Sequence, residues 1–244
     1  MTSAFSRLPP HEQRRLRHLG RADLEELAAR RLAGEPLQYL EGSAPFTDFE
    51  VVVDARVLVP RPETEGLFEL AAGMMGDPEV IVDLGTGSGV LAIALARRFS
   101  GAAVHATDLS KDALELAESN AGSLGVEIRF HRGDLFAALP ESLAGRVDLM
   151  VSNPPYVAES EWESLPADVR REPPTALVAG PRGTEVLARI AAGAGEWLRR
   201  GAVLVCEIGE EQASLLVPMF VGLGPVEIHR DLAGRDRYLL VKRT

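Results

Sequence analysis

At 244 residues, with 46% hydrophobic and 25% charged residues, the chain has the make-up of an ordinary globular protein, long enough for one large domain and a small appendage. A formal net charge of −10 argues against a nucleic-acid-binding surface, which needs a basic face. A lone cysteine, Cys206, excludes an intrachain disulfide, the five histidines lack metal-ligand spacing, and no apolar stretch approaches the ~18 residues of a membrane span.

The opening "MTSAFSRLPPHEQRRLRHLG" has no apolar signal-peptide core, so a cytoplasmic location is expected. Residues 1–42 read as a short helical region. In "ADLEELAARRLAGEP" the spacing sets Leu24, Leu27, Ala28 and Leu32 on one helix face, with Asp23 and Glu26 as a capping box and Gly34 and Pro36 as the stop. Residues 43–62 read as a β-hairpin linker, with "FEVVVDARVLVP" giving two short strands broken at Asp54 and Ala55. A helix begins near Glu63, and the main domain runs from 63 to 244.

From residue 80 strands and helices alternate. Strand-like runs are "EVIVDL", "AAVHATD", "VEIRFHRGD", "RVDLMVSN" and "AVLVCEIG", and helices are expected over 91–99, 111–124, 184–198 and 210–220. Alternation with apolar strands implies an α/β fold, a mainly parallel, doubly wound sheet covered on both faces. The tail, "VEIHRDLAGRDRYLLVKR", closes it with an antiparallel hairpin turning at Ala233 and Gly234. Cys206, inside "GAVLVCEIG", reads as a core thiol.

Ligands of such sheets bind beyond the carboxyl ends of the strands, where strand order reverses. The first strand runs into "DLGTGSG", whose Gly85, Gly87 and Gly89 permit close backbone approach to a ligand. The spacing departs from a dinucleotide fingerprint, which would need glycine at Val90, and from a Walker loop, which would need Gly-Lys-Ser/Thr. Instead Asp83 opens the loop, Asp108 ends the second strand where a carboxylate meets ribose hydroxyls, and Asp134 follows the third. Three acids around a glycine loop suit a neutral adenosine carrying a cationic centre better than a pyrophosphate. S-adenosylmethionine is such a molecule.

The fourth strand ends in "SNPPY". Two prolines make a rigid corner poor in backbone donors. There the Asn153 side-chain oxygen and the Pro154 carbonyl can accept both N–H bonds of a planar amino group, and Tyr156 offers a flat face. Amides and aromatic amines are poor nucleophiles because the lone pair is delocalised. Holding both N–H groups while aiming the nitrogen at a sulfonium methyl assists through orientation and charge placement. The corner points to N-methylation of a conjugated nitrogen.

Together "PRPETE", "DLGTGSG", "ATDLSKDAL", "GDLF", "SNPPY", "EPPTALVAGPRG" and "CEIG" resemble the HemK/PrmC family, from about Gln38 onward. These are class I methyltransferases acting on the glutamine side-chain amide of peptide chain release factors. The resemblance implies S-adenosylmethionine contacts at Gly85, Thr86, Gly87, Ser88, Gly89, Asp108 and Asn153, with Leu135 beside the adenine; the strand-end acids Asp83 and Asp134 are expected to join them. It implies that Asn153, Pro154, Pro155 and Tyr156 hold the substrate glutamine, and that the 60–65 segment, with Arg61 and Glu63, closes over the methyl-transfer site. The family's N-terminal helical domain is usually longer than the region here, which bears on the protein substrate. A ribosomal-protein glutamine, or an adenine in DNA or RNA, stand as alternative targets.

Overall fold

The computed structural model describes residues 3–244. Four short helices open the chain: α1 (Ala4–Arg7), α2 (Pro10–His18), α3 (Leu24–Leu32) and α4 (Leu37–Glu41). Ser3 caps the first and Pro10 starts the second, both favoured at helix N-termini. Leu8, Leu16, Leu27, Ala28, Leu37 and Leu40 give these helices a small core of their own. Two expectations fail here. Leu32 is 41% exposed, so the buried stripe of α3 is narrower than its spacing suggests. Asp23 makes no capping bond, because its carboxylate is taken by the Arg21 guanidinium at 2.9 Å.

The hairpin lies earlier than expected. Strands β1 (Ser43–Phe46) and β2 (Phe49–Val52) pair antiparallel with the turn at Thr47 and Asp48. Phe46, Phe49 and Val51 alternate inward, which fixes this register. Asp54 does not pair strands. Its carboxylate accepts the Arg56 N–H at 3.0 Å and its carbonyl the Val57 N–H at 3.1 Å, bending the chain into a loop.

Then follow α5 (Pro62–Gly73), β3 (Val80–Leu84), α6 (Val90–Arg98), β4 (Ala103–Asp108), α7 (Lys111–Ser123), β5 (Arg129–Arg132) and β6 (Val147–Ser152). A small parallel pair, β7 (Val157–Ala158) and β8 (Val178–Gly180), precedes α8 (Glu185–Trp197), β9 (Leu198–Glu207), α9 (Ala213–Phe220), β10 (Val226–Arg230) and β11 (Asp236–Lys242). Helix α9 starts three residues later than expected, since the Gln212 side chain folds back onto the Gly209 N–H.

The main sheet has the order β10-β11-β9-β6-β3-β4-β5. Strands β9, β6, β3, β4 and β5 are parallel, and β11 and β10 close one edge antiparallel. One face, with Ile81, Val104, Leu149 and Val205, packs against α5, α6 and α7; the other, with Val82, Met150 and Leu204, packs against α8 and α9. Burial on both faces explains why β3 and β6 read as continuous apolar runs. Cys206 is fully buried, which raises its thiol pKa. Strand order reverses beside β3, which directs a ligand to the loop that follows it.

Candidate active site

The chain leaves β3 through the glycine loop. The Gly85 and Thr86 N–H groups both donate to the Thr107 carbonyl at 2.9 Å, folding the loop over the end of β4. Gly85 (φ 73°) and Gly87 (φ 56°) are left-handed, with open space where a Cβ would stand. Gly89 serves differently: a Cβ there would press on Ala117 at 3.1 Å, so this glycine lets α6 start against α7.

Above the loop opens a cavity of about 590 Å³, within the range of small-molecule sites (roughly 300–1,000 Å³). Gly85, Thr86, Gly87, Ser88, Asp108, Asp134, Leu135, Asn153 and Pro155 line it. The 56–60 loop lines it too, as do Pro173, Ala176 and Val178. Asp108 is held from two sides, Oδ2 accepting the Gly87 N–H and Oδ1 the Ser110 N–H, each at 2.9 Å. Burial raises its pKa. Leu135 takes a left-handed φ of 48°, which costs a residue with a side chain on the order of 1–3 kcal/mol. Both cavity arginines already have partners: Arg189 pairs with Asp134 at 2.7 Å and Arg56 with Asp54 at 2.6 Å.

Asp83 does not line the cavity. It lies under the loop, 1% exposed, where its Oδ2 accepts the Thr86 hydroxyl at 2.6 Å and its Oδ1 has no partner. Burial pushes its carboxyl up to about 7, against the pull of the Thr86 bond.

The Asn-Pro-Pro-Tyr corner sits beside the loop because Ser152 donates its hydroxyl to the Leu84 carbonyl at 2.7 Å. Asn153 Nδ2 donates to Thr64 Oγ1 at 3.0 Å, and Thr64 Oγ1 donates to Glu207 Oε2 at 3.1 Å. The amide therefore turns its Oδ1 away from Thr64. Tyr156 does not line the cavity as a platform would. Its hydroxyl donates to Glu207 Oε1 at 3.1 Å, its carbonyl accepts the Gln212 amide at 2.8 Å, and its ring packs on the α8 side of the sheet. Pro154 is buried and also outside the lining, while Pro155 is part of it.

In the 60–65 segment Pro60 and Thr64 line the cavity, but Arg61 and Glu63 do not. Arg61 pairs with Glu172, whose Oε2 also accepts the Val59 N–H at 2.8 Å. Glu63 accepts from Arg235 at 2.9 Å, and its carbonyl accepts the Tyr238 hydroxyl at 2.8 Å. Both residues anchor the segment. Thr64, Glu172 and Glu207 were missed in the sequence. The two acids lie inside the "EPPT" and "CEIG" runs, and their burial, at 2% and 1% exposure, is a property of the fold that neither run states.

A reversed parallel sheet, a glycine loop without a phosphate-binding cation, and acids at successive strand ends define a class I methyltransferase fold. Residues 70–170 match the family model described as "Methyltransferase small domain". The chain is 44% identical over 217 residues to the release factor glutamine methyltransferase of Bordetella pertussis, covering 87% of this chain and 79% of that protein. It is 42% identical over 226 residues to that of Nitratidesulfovibrio vulgaris, covering 89% and 76%. It belongs to the release factor glutamine methyltransferase family, as its motifs implied.

Solved structures share the fold at lower identity. The E. cuniculi Mtq2–Trm112 complex, responsible for methylation of the eRF1 translation termination factor, superposes with a TM-score of 0.57 at 22% identity, over 78% of this chain and 99% of that one. A Thermus thermophilus 16S rRNA methyltransferase, in complex with AdoMet and guanosine, gives 0.60 at 20% identity, over 83% and 50%.

Proposed function

We propose that this protein transfers a methyl group from S-adenosylmethionine to the side-chain amide nitrogen of a glutamine, in the Gly-Gly-Gln loop of a peptide chain release factor. The observation that carries this is the Asn153 amide, locked by Thr64 with its oxygen turned away as a free acceptor, beside a glycine loop and Asp108. The residues present fit the cofactor. Asp108 lines the cavity with its carboxylate fixed by two backbone N–H groups, and each cavity arginine is already neutralised, so the site favours a cationic ligand over a phosphate.

Asp108 would accept from the ribose hydroxyls, the Gly85–Gly87 backbone would face the cofactor's chain, and Asp134 and Leu135 would flank the adenine. When bound, S-adenosylmethionine supplies an electrophilic methyl on a sulfonium. Asn153 Oδ1, with the Pro154 carbonyl next to it, would accept the two N–H bonds of the glutamine amide and hold its nitrogen in line. The amide lone pair is weak, so the chain's contribution is orientation and fixed negative dipoles facing an N–H pair that becomes acidic as the bond forms. Tyr156 acts in this reading as a strut behind the clamp. Glu172, with Arg61, holds the cavity wall at 56–60.

Two glycines before the glutamine let a substrate backbone enter a narrow cleft. An adenine in duplex DNA would first have to be flipped out at a cost of a few kcal/mol, on a chain of net charge −10. Among the described residues no helix is long and apolar enough to cross a membrane, and a cytoplasmic enzyme accords with this substrate. The test is tritiated methyl transfer to intact release factor, a Gly-Gly-Gln peptide, a ribosomal protein and duplex DNA in parallel. Release factor should be labelled on that glutamine, located by mass spectrometry, and the free peptide much less. Labelling of DNA alone would overturn the assignment. Labelling of the ribosomal protein alone would keep the chemistry and change the partner.

A further inference from the structure

Glu207 closes a hydrogen-bond path that ends at the clamp. It sits at the end of β9, 1% exposed, with both carboxylate oxygens engaged: Oε2 accepts the Thr64 hydroxyl and Oε1 the Tyr156 hydroxyl, each at 3.1 Å. Thr64 is itself 3% exposed and accepts from Asn153 Nδ2 at 3.0 Å. An asparagine amide has an oxygen and a nitrogen of nearly the same shape, so packing alone does not say which of them faces a ligand. Here the order of donors does. A carboxylate can only accept, and a threonine hydroxyl has one proton. With that proton committed to Glu207, Thr64 can offer Asn153 only a lone pair, and a lone pair selects Nδ2.

We propose that Glu207 is a positioning residue which, through the Thr64 hydroxyl, sets the Asn153 amide with its oxygen toward the substrate. This rests on the glutamine-methyltransferase reading, in which the clamp must accept two N–H bonds. The reverse orientation would present two N–H donors to the N–H donors of the substrate amide and repel it. The fold makes room for the relay at Gly66, where a Cβ would strike the Tyr238 hydroxyl; without one, α5 lies close on β11 and brings Thr64 within reach of Glu207.

Burial and Glu63 oppose ionisation of Glu207, while the Tyr156 and Thr64 hydroxyls and Arg237 favour it. Arg237, on β11, lies near it as a cation, 8% exposed, with its Nη1 donating to the Ile208 carbonyl at 3.1 Å. Glu63, on α5, opposes ionisation, but its own carboxylate is paired with Arg235. The remaining neighbours are the Tyr156 and Tyr238 phenols, both raised in pKa by burial. Burial pushes Glu207 up to about 7, against the Tyr156 hydrogen bond and Arg237. Protonation frees the Thr64 proton from its partner and releases the amide, so turnover should fall on the acid side of that value.

The experiment compares wild type with Glu207→Met, Thr64→Val, their double variant, Thr64→Ser and Glu207→Gln, using full-length protein and intact release factor. Each of Glu207→Met and Thr64→Val should lower kcat by about 10–100-fold, short of the ~10²–10³ expected for deleting a transition-state group itself. S-adenosylmethionine affinity by calorimetry should stay within about threefold of wild type. The double variant should be no slower than the worse single one, because both break one path. Thr64→Ser keeps the hydroxyl and should recover most of the rate. Glu207→Gln cannot ionise and should lose the acid limb of the kcat–pH profile. The side-chain NH₂ resonances of Asn153 in ¹⁵N-labelled protein report the relay without any substrate, and should shift with pH in wild type but not in Thr64→Val. Additive losses, an unchanged acid limb in Glu207→Gln, or Asn153 resonances indifferent to Thr64→Val would overturn the proposal. Should wild type label no release factor, the substrate reading falls and the Asn153 resonances still decide the positioning role.

Discussion

Replacing Asp108 by alanine tests the cofactor site where the geometry is most explicit. The carboxylate lies between the loop and the start of α7, each oxygen taking a backbone N–H at 2.9 Å, and the residue lines the cavity. Two ribose hydroxyls donating to it would each contribute ~1.5–3 kcal/mol, as hydrogen bonds to a charged acceptor. Water entering the vacated space offsets part of this, so the lower end applies to both. A total of about 3 kcal/mol corresponds to roughly a 100-fold loss of affinity. Isothermal calorimetry should find that loss for S-adenosylmethionine and equally for S-adenosylhomocysteine, which shares the ribose and lacks the positive sulfur. Asp108→Asn should not restore binding, because its NH₂ would confront the Gly87 or Ser110 N–H. Affinity within threefold of wild type, or a loss confined to the charged ligand, would refute ribose binding at this position.

Asn153→Ala should reduce methyl transfer by ~10²–10³ with a smaller change in cofactor affinity, measured by single-turnover transfer; near-normal turnover would return the corner to a plain strand terminator. Asp83 has its carboxyl raised from an ordinary 3.8 to about 7 by burial, so its contribution to stability is fully present below about 4 and lost as pH rises through 7. The free protein should therefore melt at lower temperature at pH 8 than at pH 5, and Asp83→Asn, which still accepts from Thr86, should flatten that slope; an unchanged slope in calorimetric melts would count against it. Arg31 holds the buried Glu12 at 3.0 Å and reaches Asp168 at 3.3 Å, so Arg31→Ala should cost ~1–3 kcal/mol and lower the melting temperature, with early proteolysis among the N-terminal helices.

Most of the fold was legible because both-face burial of a parallel sheet leaves long apolar runs, and the turns between them carry glycine or proline. The hairpin was misplaced because Val51, Val53, Val57 and Val59 are all buried, yet only the first belongs to a strand. Apolar content alone does not separate a strand from a cavity-side loop. The glycine loop, Asp108 and Asn153 were legible because their chemistry is stated by residues adjacent in the chain. Thr64, Glu172 and Glu207 were not, since each acts on a segment more than a hundred residues away or through another side chain. An aromatic ring in a loop looks the same in sequence whether its face or its hydroxyl is used, and in the structure the Tyr156 hydroxyl is engaged by Glu207.

The path from Asn153 through Thr64 to Glu207 and on to Tyr156 joins positions 89, 143 and 51 residues apart. Such contacts repay their loop-closure entropy only after the segments between them have docked, so they form late in folding. During refolding, helical signal and the burial of Trp197 between α8 and the sheet should return before methyl transfer does. A chain whose sheet is assembled while α5 is still undocked has a glycine loop but no oriented acceptor. Methyl transfer should therefore lag behind sheet assembly in a refolding time course.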